Sequence, residues 1–167
     1  MPILTLALTL LGVQTAPAQA APAWTYKEST DPAQPKNASA SIRAADGNSR
    51  LVVRCDTAVQ PIVSVQFIPK PPIPAGDSRT VTMTYNEAQA EMSQWQFPGA
   101  GAYNGEAVEV FILVDQVAKS KTVRVGVPEG EVMIEGSFPG PGSDAMFRKV
   151  YAACGLPYAM PSVTPGK

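Results

Sequence analysis

The chain has 167 residues, with 13 Lys+Arg against 14 Asp+Glu and no histidine. That length suits one domain, and the near-balanced charge argues against a nucleic-acid binder or a polybasic membrane-surface protein. Apolar residues make up 45% and charged residues 16%, enough hydrophobe for a core, while 17 prolines and 13 glycines point to turns and loops rather than a helical bundle.

The opening stretch, MPILTLALTLLGVQTAPAQA, has the pattern of a signal peptide over residues 1–20. Ile3 to Val13 is an apolar run of h-region length. Ala18-Gln19-Ala20 is a small-x-small cleavage signal, with cleavage expected after Ala20 and Ala16-Pro17-Ala18 as the competing site. No Lys or Arg precedes the run, so the α-amino group alone supplies its positive charge; the alternative is an N-terminal core strand. The run is too short to span a bilayer, and the absence of a cysteine after it argues against a lipid anchor. The expectation is an exported protein, periplasmic or secreted, without stable membrane insertion once the signal is removed. It would have one globular domain over 21–158 and a flexible tail over 159–167.

Trp24 to Lys27 reads as a short strand, followed by the polar loop ESTDPAQPKN. Alternation returns at ASASIRA (38–44), and the turn Asp46-Gly47-Asn48 joins it to LVVRC (51–55) as a hairpin. PIVSVQFIP (61–69) alternates, with Val63, Val65 and Phe67 on one face against Ser64 and Gln66. The connection PKPPIPAGD (69–77) cannot join a ladder and reads as an exposed loop. RTVTMTY (79–85) places Val81, Met83 and Tyr85 opposite Thr80, Thr82 and Thr84, and EMSQWQF (91–97) is its expected partner.

Helical period appears in GEAVEVFILVDQVAKS, where Ala107, Val110, Phe111, Val114 and Val117 form an apolar stripe; β-branched residues leave a strand over 108–114 as the alternative. KTVRVGV (121–127) pairs with EVMIEGSF (131–138) across Pro128-Glu129-Gly130. A second helix follows, capped by Ser143 or Asp144, with Phe147, Val150, Tyr151 and Cys154 on one face and Gly155 and Pro157 ending it. The fold class is α+β: a mostly antiparallel sheet or sandwich with two helices.

Without histidine, a Ser-His-Asp triad, a Cys-His dyad and His-bearing zinc sites are impossible within the chain. Gly76-Asp77-Ser78 reads as a turn in a proline-rich loop with no base to activate the serine. Lys119-Ser120-Lys121 reads as basic residues at a helix C-terminus rather than a Ser-Lys dyad. Asp46-Gly47-Asn48 lacks the further oxygen ligands of a calcium loop. Glu129, Glu131 and Glu135 read as a solvated strand face or an acidic patch, and Trp24 and Trp95 as core anchors or rim residues of a binding surface. No catalytic set, metal or cofactor is expected. The chain has two cysteines, Cys55 and Cys154, without a Cys-x-x-Cys motif. An even count in an exported domain is the setting for a structural disulfide, which would staple the last helix to the sheet; two unpaired buried thiols are the alternative.

These motifs share a pattern. Trp24 opens the mature domain and Asp31-Pro32 follows; then come L-V-V-R-C at 51–55, R-T-V at 79–81, Trp95, A-K-S-K-T-V-R-V at 118–125, Phe138, Ala145, Val150 and A-C-G at 153–155. Over Trp24 to Gly155 the chain resembles the type VI secretion-associated TagO/VasI-like family of small exported bacterial proteins. The resemblance implies a non-catalytic envelope protein that accompanies secretion machinery, with Cys55 and Cys154 as the disulfide pair and Arg54 and Lys119 as further matches. Its partners would be envelope or secretion-system proteins. The rival expectation is a periplasmic inhibitor of lysozyme or a protease, with Lys70, Pro71, Pro72, Ile73, Pro74 and Asp77 in a rigid inserting loop that is cheap to order on binding.

Overall fold

A computed structural model describes residues 21–162 except 30, 32, 34 and 35. The expected signal peptide and residues 163–167 of the expected tail lie outside the described residues. In chain order the elements are β1 (Thr25–Glu28), β2 (Asn37–Arg43), β3 (Ser49–Asp56), β4 (Ile62–Pro69), β5 (Gly76–Tyr85), β6 (Glu91–Phe97), β7 (Ala102–Asn104), α1 (Ala107–Lys119), β8 (Thr122–Glu129), β9 (Val132–Pro139) and α2 (Ala145–Ala153). The nine strands form one sheet in the order β1-β2-β3-β4-β7-β6-β5-β8-β9, and every pairing is antiparallel. The α+β class and the staple between the last helix and the sheet are both present.

Alternation in the sequence becomes alternation of burial. The register Leu51↔Phe67, Val53↔Val65 and Cys55↔Val63 aligns apolar partners on one face, and all six are buried. On β5, Val81, Met83 and Tyr85 are likewise buried while Thr80, Thr82 and Thr84 are half-exposed. This buried face is the inner one, because the sheet curls with its natural twist until β9 lies against β3 and β4. Gly136 on β9 makes that approach possible: a Cβ there would run into the Ser49 hydroxyl and the Phe67 ring. Phe67 and Phe138 meet edge to face, with ring centroids 6.3 Å apart. The enclosed core includes Trp95, Phe67, Phe138 and Phe147, with α2 packed on β2 and β3, and α1 on β4. Both tryptophans are core anchors, Trp24 at 8% exposure and Trp95 at 0%.

Several expectations are corrected. The buried residues of α1 are Val110, Leu113, Val114, Val117 and Ala118, whereas Ala107 is exposed and Phe111 half-buried. The helix is rotated so that Phe111 leaves the core to meet Tyr158, at 5.5 Å between centroids. Asp144 holds the N-cap position of α2, but its carboxylate makes no cap bond; it accepts instead from Nε and Nη2 of Arg148, at 2.9 and 2.7 Å. The glycine-rich stretch after β6 contains a strand that alternation did not signal, β7, which inserts between β4 and β6. Gly101 permits this insertion, since a Cβ there would strike the Phe67 carbonyl oxygen. Proline also joins ladders at strand ends: Pro69 sits opposite Ser49, and Pro128 opposite Met133.

The strand directions define two poles. The β2–β3, β4–β5, β6–β7 and β8–β9 connections gather at one end of the sheet, and the β3–β4 and β5–β6 turns, both ends of α1 and the disulfide at the other. We refer to these as the loop pole and the helix pole.

Candidate functional site

Cys55 lies on the inner face of β3 at 0% exposure, and Cys154 is the C-cap residue of α2. They are bonded, with Cα atoms 5.6 Å apart, a separation that suits a disulfide without backbone movement. A bridged sulfur is neither a nucleophile nor a metal ligand, so Cys55 is a structural staple. The neighbouring Asp56 has local work: it pairs with Arg54 at 3.2 Å and accepts the Ala58 N–H at 2.9 Å, shaping the turn that leaves β3. Lys119, the other matched cation, pairs with Asp115 one helical turn earlier at 2.6 Å. The Ser120 hydroxyl donates to the Gln116 carbonyl at 2.7 Å, closing the end of α1 rather than facing a lysine.

The proline-rich connection runs at the loop pole and differs from expectation at its centre. Lys70, Pro71, Pro72 and Pro74 are exposed, as is Asp77, which belongs to β5. Ile73 is 0% exposed and packs into the core. It is therefore an anchor and not a contact residue; an isobutyl-sized group flanked by prolines gains more from burial than from water. Two further contacts hold the loop. The Lys70 N–H donates to the Asn48 carbonyl at 2.7 Å, and the 98–101 connection lies beside Ala75, whose Cβ is 3.5 Å from where a Gly99 Cβ would be. Next to it, Arg79 pairs with Glu129, donates to the Pro128 carbonyl at 3.4 Å and lies 3.9 Å over the Phe97 ring. Glu129 is thus tied to a cation, while Glu131 and Glu135 are exposed, as a solvated strand face requires.

Two adjoining depressions escaped the sequence reading, one at the helix pole and one running from there along the outer face toward the β6–β7 connection. One is an apolar cleft of about 450 Å³ between the start of β4, the first turns of α1 and the segment 156–162. Val63, Val110, Tyr151, Leu156 and Met160 line it. The other is a polar trough of about 300 Å³ on the outer face of the sheet, lined by Gln94, Gln96, Tyr103, Asn104 and Glu106. Ile62 and Gly105 line both. The Tyr103 ring lies across Gly105, where a Cβ would meet it 2.5 Å from the phenol oxygen. Asn104 is fixed from two sides: its amide donates to Glu109 at 2.7 Å, and its carbonyl oxygen accepts the Glu106 N–H at 3.0 Å. The only signal of this trough in the sequence is QWQF followed by AYNG, two amides and a tyrosine on one face of neighbouring strands.

Beside the cleft, Tyr151 and Tyr158 meet edge to face at 5.2 Å. Burial pushes the Tyr151 phenol well above the usual tyrosine range and, with nearby carboxylates, the Tyr158 phenol up to about 12. Tyr85 is raised likewise, by burial first and by Glu91 second. All are neutral phenols at physiological pH. Among the described residues no group of three or more Cys, Asp or Glu is placed to hold a metal ion, and no helix is long and apolar enough to cross a membrane. Comparison with protein-family models, with curated proteins and with solved structures finds no match.

Proposed function

We propose that this is a non-catalytic interaction protein of the bacterial envelope, exported to the periplasm and presenting the loop pole to a protein partner. The observation that carries the reading is Ile73: a buried residue in the middle of the proline segment holds Lys70, Pro71, Pro72 and Pro74 in fixed positions facing solvent. A loop ordered before binding loses little entropy on association, which favours contact surfaces of this kind. The disulfide supports an oxidising compartment, since such bonds persist there and are rare where thiols are kept reduced. The TagO/VasI-like pattern supports a place beside type VI secretion machinery. The test is capture of envelope proteins by the mature chain and by a variant whose Lys70–Ala75 segment is replaced with a glycine-serine linker. Partners retained by both chains would sink the assignment to the loop. Neighbouring genes for sheath or baseplate components would support the secretion association, and their absence across many genomes would remove it.

The same anchored loop favours a second reading, an inhibitor of lysozyme or of a protease that inserts the proline segment into the target cleft. Purified mature chain would then block a lysozyme or protease stoichiometrically and lose the effect when Pro69 to Asp77 is shortened. Full enzyme activity in the presence of a large excess of the chain would eliminate this reading.

A further inference from the structure

We propose that a surface running from the helix pole onto the outer face of the sheet binds a neutral single-chain glycolipid, with its hydrocarbon chain in the cleft and its uncharged sugar head in the trough. This does not depend on the loop-pole contact. The inference rests on the juxtaposition of two depressions of opposite chemistry that share the rim residues Ile62 and Gly105. The cleft, about 450 Å³, and the trough, about 300 Å³, each reach the size of small-molecule sites, roughly 300–1,000 Å³. A purely apolar ligand would leave the trough unused, and a free sugar would gain nothing from the cleft.

Charge selects the head group. Among the described residues lining either depression, Glu106 alone is charged. The partial positive charge at the start of α1 is already met by Glu106 and by Glu109 in its first turn. A phosphate would therefore meet a carboxylate and no cation, whereas hydroxyl groups would meet donors and acceptors together. Gln94 and Gln96 offer both kinds of atom, Tyr103 adds a phenol and a ring face, and Glu106 accepts. The lining is held by contacts within the sheet: the Gln94 amide N–H donates to the Thr80 hydroxyl at 2.8 Å on the side away from β7, and the backbone beneath Tyr103 is held by Asn104.

The test uses decyl maltoside below its critical micelle concentration, maltose and decyl phosphate, titrated into the mature, oxidised protein by calorimetry and amide NMR. Expected is one decyl maltoside per chain, with shifts at Ile62, Gln96, Tyr103 and Gly105, and affinity at least tenfold above that of maltose and of decyl phosphate. Ala107→Trp, a substitution at the exposed start of α1 that fills the cleft mouth, is expected to weaken decyl maltoside at least tenfold. Tyr103→Ala is expected to weaken decyl maltoside at least tenfold and to leave decyl phosphate unchanged. If Tyr103→Ala lowers the melting temperature severely, Gln94→Ala with Gln96→Ala tests the same head contacts from exposed positions. Absence of saturable binding, decyl phosphate binding as tightly as decyl maltoside, or unchanged affinity in the folded variants would each overturn the proposal.

Discussion

The indole N–H of Trp24 donates to the carbonyl of Pro139 at 2.8 Å, joining the residue that precedes the first strand to the end of the last. Trp24 also meets Phe147 of α2 edge to face at 5.2 Å, so one side chain ties both margins of the curled sheet to the C-terminal helix. Trp24→Phe keeps the ring contact and loses the hydrogen bond, which is expected to cost about 1 kcal/mol. Trp24→Ala removes both and is expected to cost about 3–5 kcal/mol. Urea denaturation of the three chains measures the difference; equal losses for Phe and Ala would show that the hydrogen bond, and not packing, holds the margin.

The bridge between Cys55 and Cys154 closes a sequence separation of 99 residues. A loop of that order restricts the unfolded chain by about 4–5 kcal/mol on the loop-entropy account. Cys55→Ser and Cys154→Ser are therefore expected to destabilise by similar amounts, each about 2–5 kcal/mol. Mass spectrometry after alkylation without reductant is expected to find no modified thiol in the wild-type protein. Strongly unequal losses in the two variants would argue against the bridge as the common cause.

Ile73 separates anchoring from contact within the proline segment. Ile73→Ala is expected to destabilise the fold by about 2–4 kcal/mol, while Lys70→Ala and Pro72→Ala, at exposed positions, are expected to change stability by about 0.5 kcal/mol or less. Limited proteolysis adds a local readout: cleavage between residues 70 and 75 should accelerate for Ile73→Ala alone.

Alkaline pH is expected to weaken the fold through its buried phenols. Tyr85 and Tyr151 are raised by burial, and Tyr158 reaches about 12, against about 10 for an unfolded tyrosine. The folded state therefore holds its phenol protons to higher pH than the unfolded chain does. Their contribution is complete below pH about 10 and is lost as pH rises through the folded values. Stability measured by denaturant from neutral pH upward should fall above that point, and Tyr85→Phe with Tyr151→Phe should flatten the fall. An unchanged slope in the double variant would assign it to other groups, such as the lysines.

Strand faces were legible because a half-buried sheet imposes a period of two, and Val63, Val65, Phe67, Val81, Met83 and Tyr85 obey it. The pairing of Cys55 with Cys154 was legible because the chain offers one partner for each. The rotation of α1 was not, since Leu113 and Phe111 are equally apolar in the sequence; packing against β4 chose the former, and Tyr158 drew the latter outward. β7 was hidden because three residues among glycines carry no measurable period, and its place depends on a close approach at Gly101. Ile73 was hidden because prolines on both sides mark a loop, and nothing local states that a loop residue turns inward. The cleft and trough join residues from β4, β6, β7, α1 and the C-terminal segment, so neither leaves a contiguous motif.

The separation of the two poles has a mechanical consequence. Eight-residue strands such as β4 extend about 26 Å at roughly 3.3 Å per residue. A macromolecule seated on the proline segment would therefore stand a full strand length from anything bound beside the disulfide. The cleft is clear of that partner, whereas the trough reaches Gln96, next to the Phe97 that pairs with Gly76 at the end of the proline segment. Partners bound at the loop pole and in the cleft would thus be held a set distance apart.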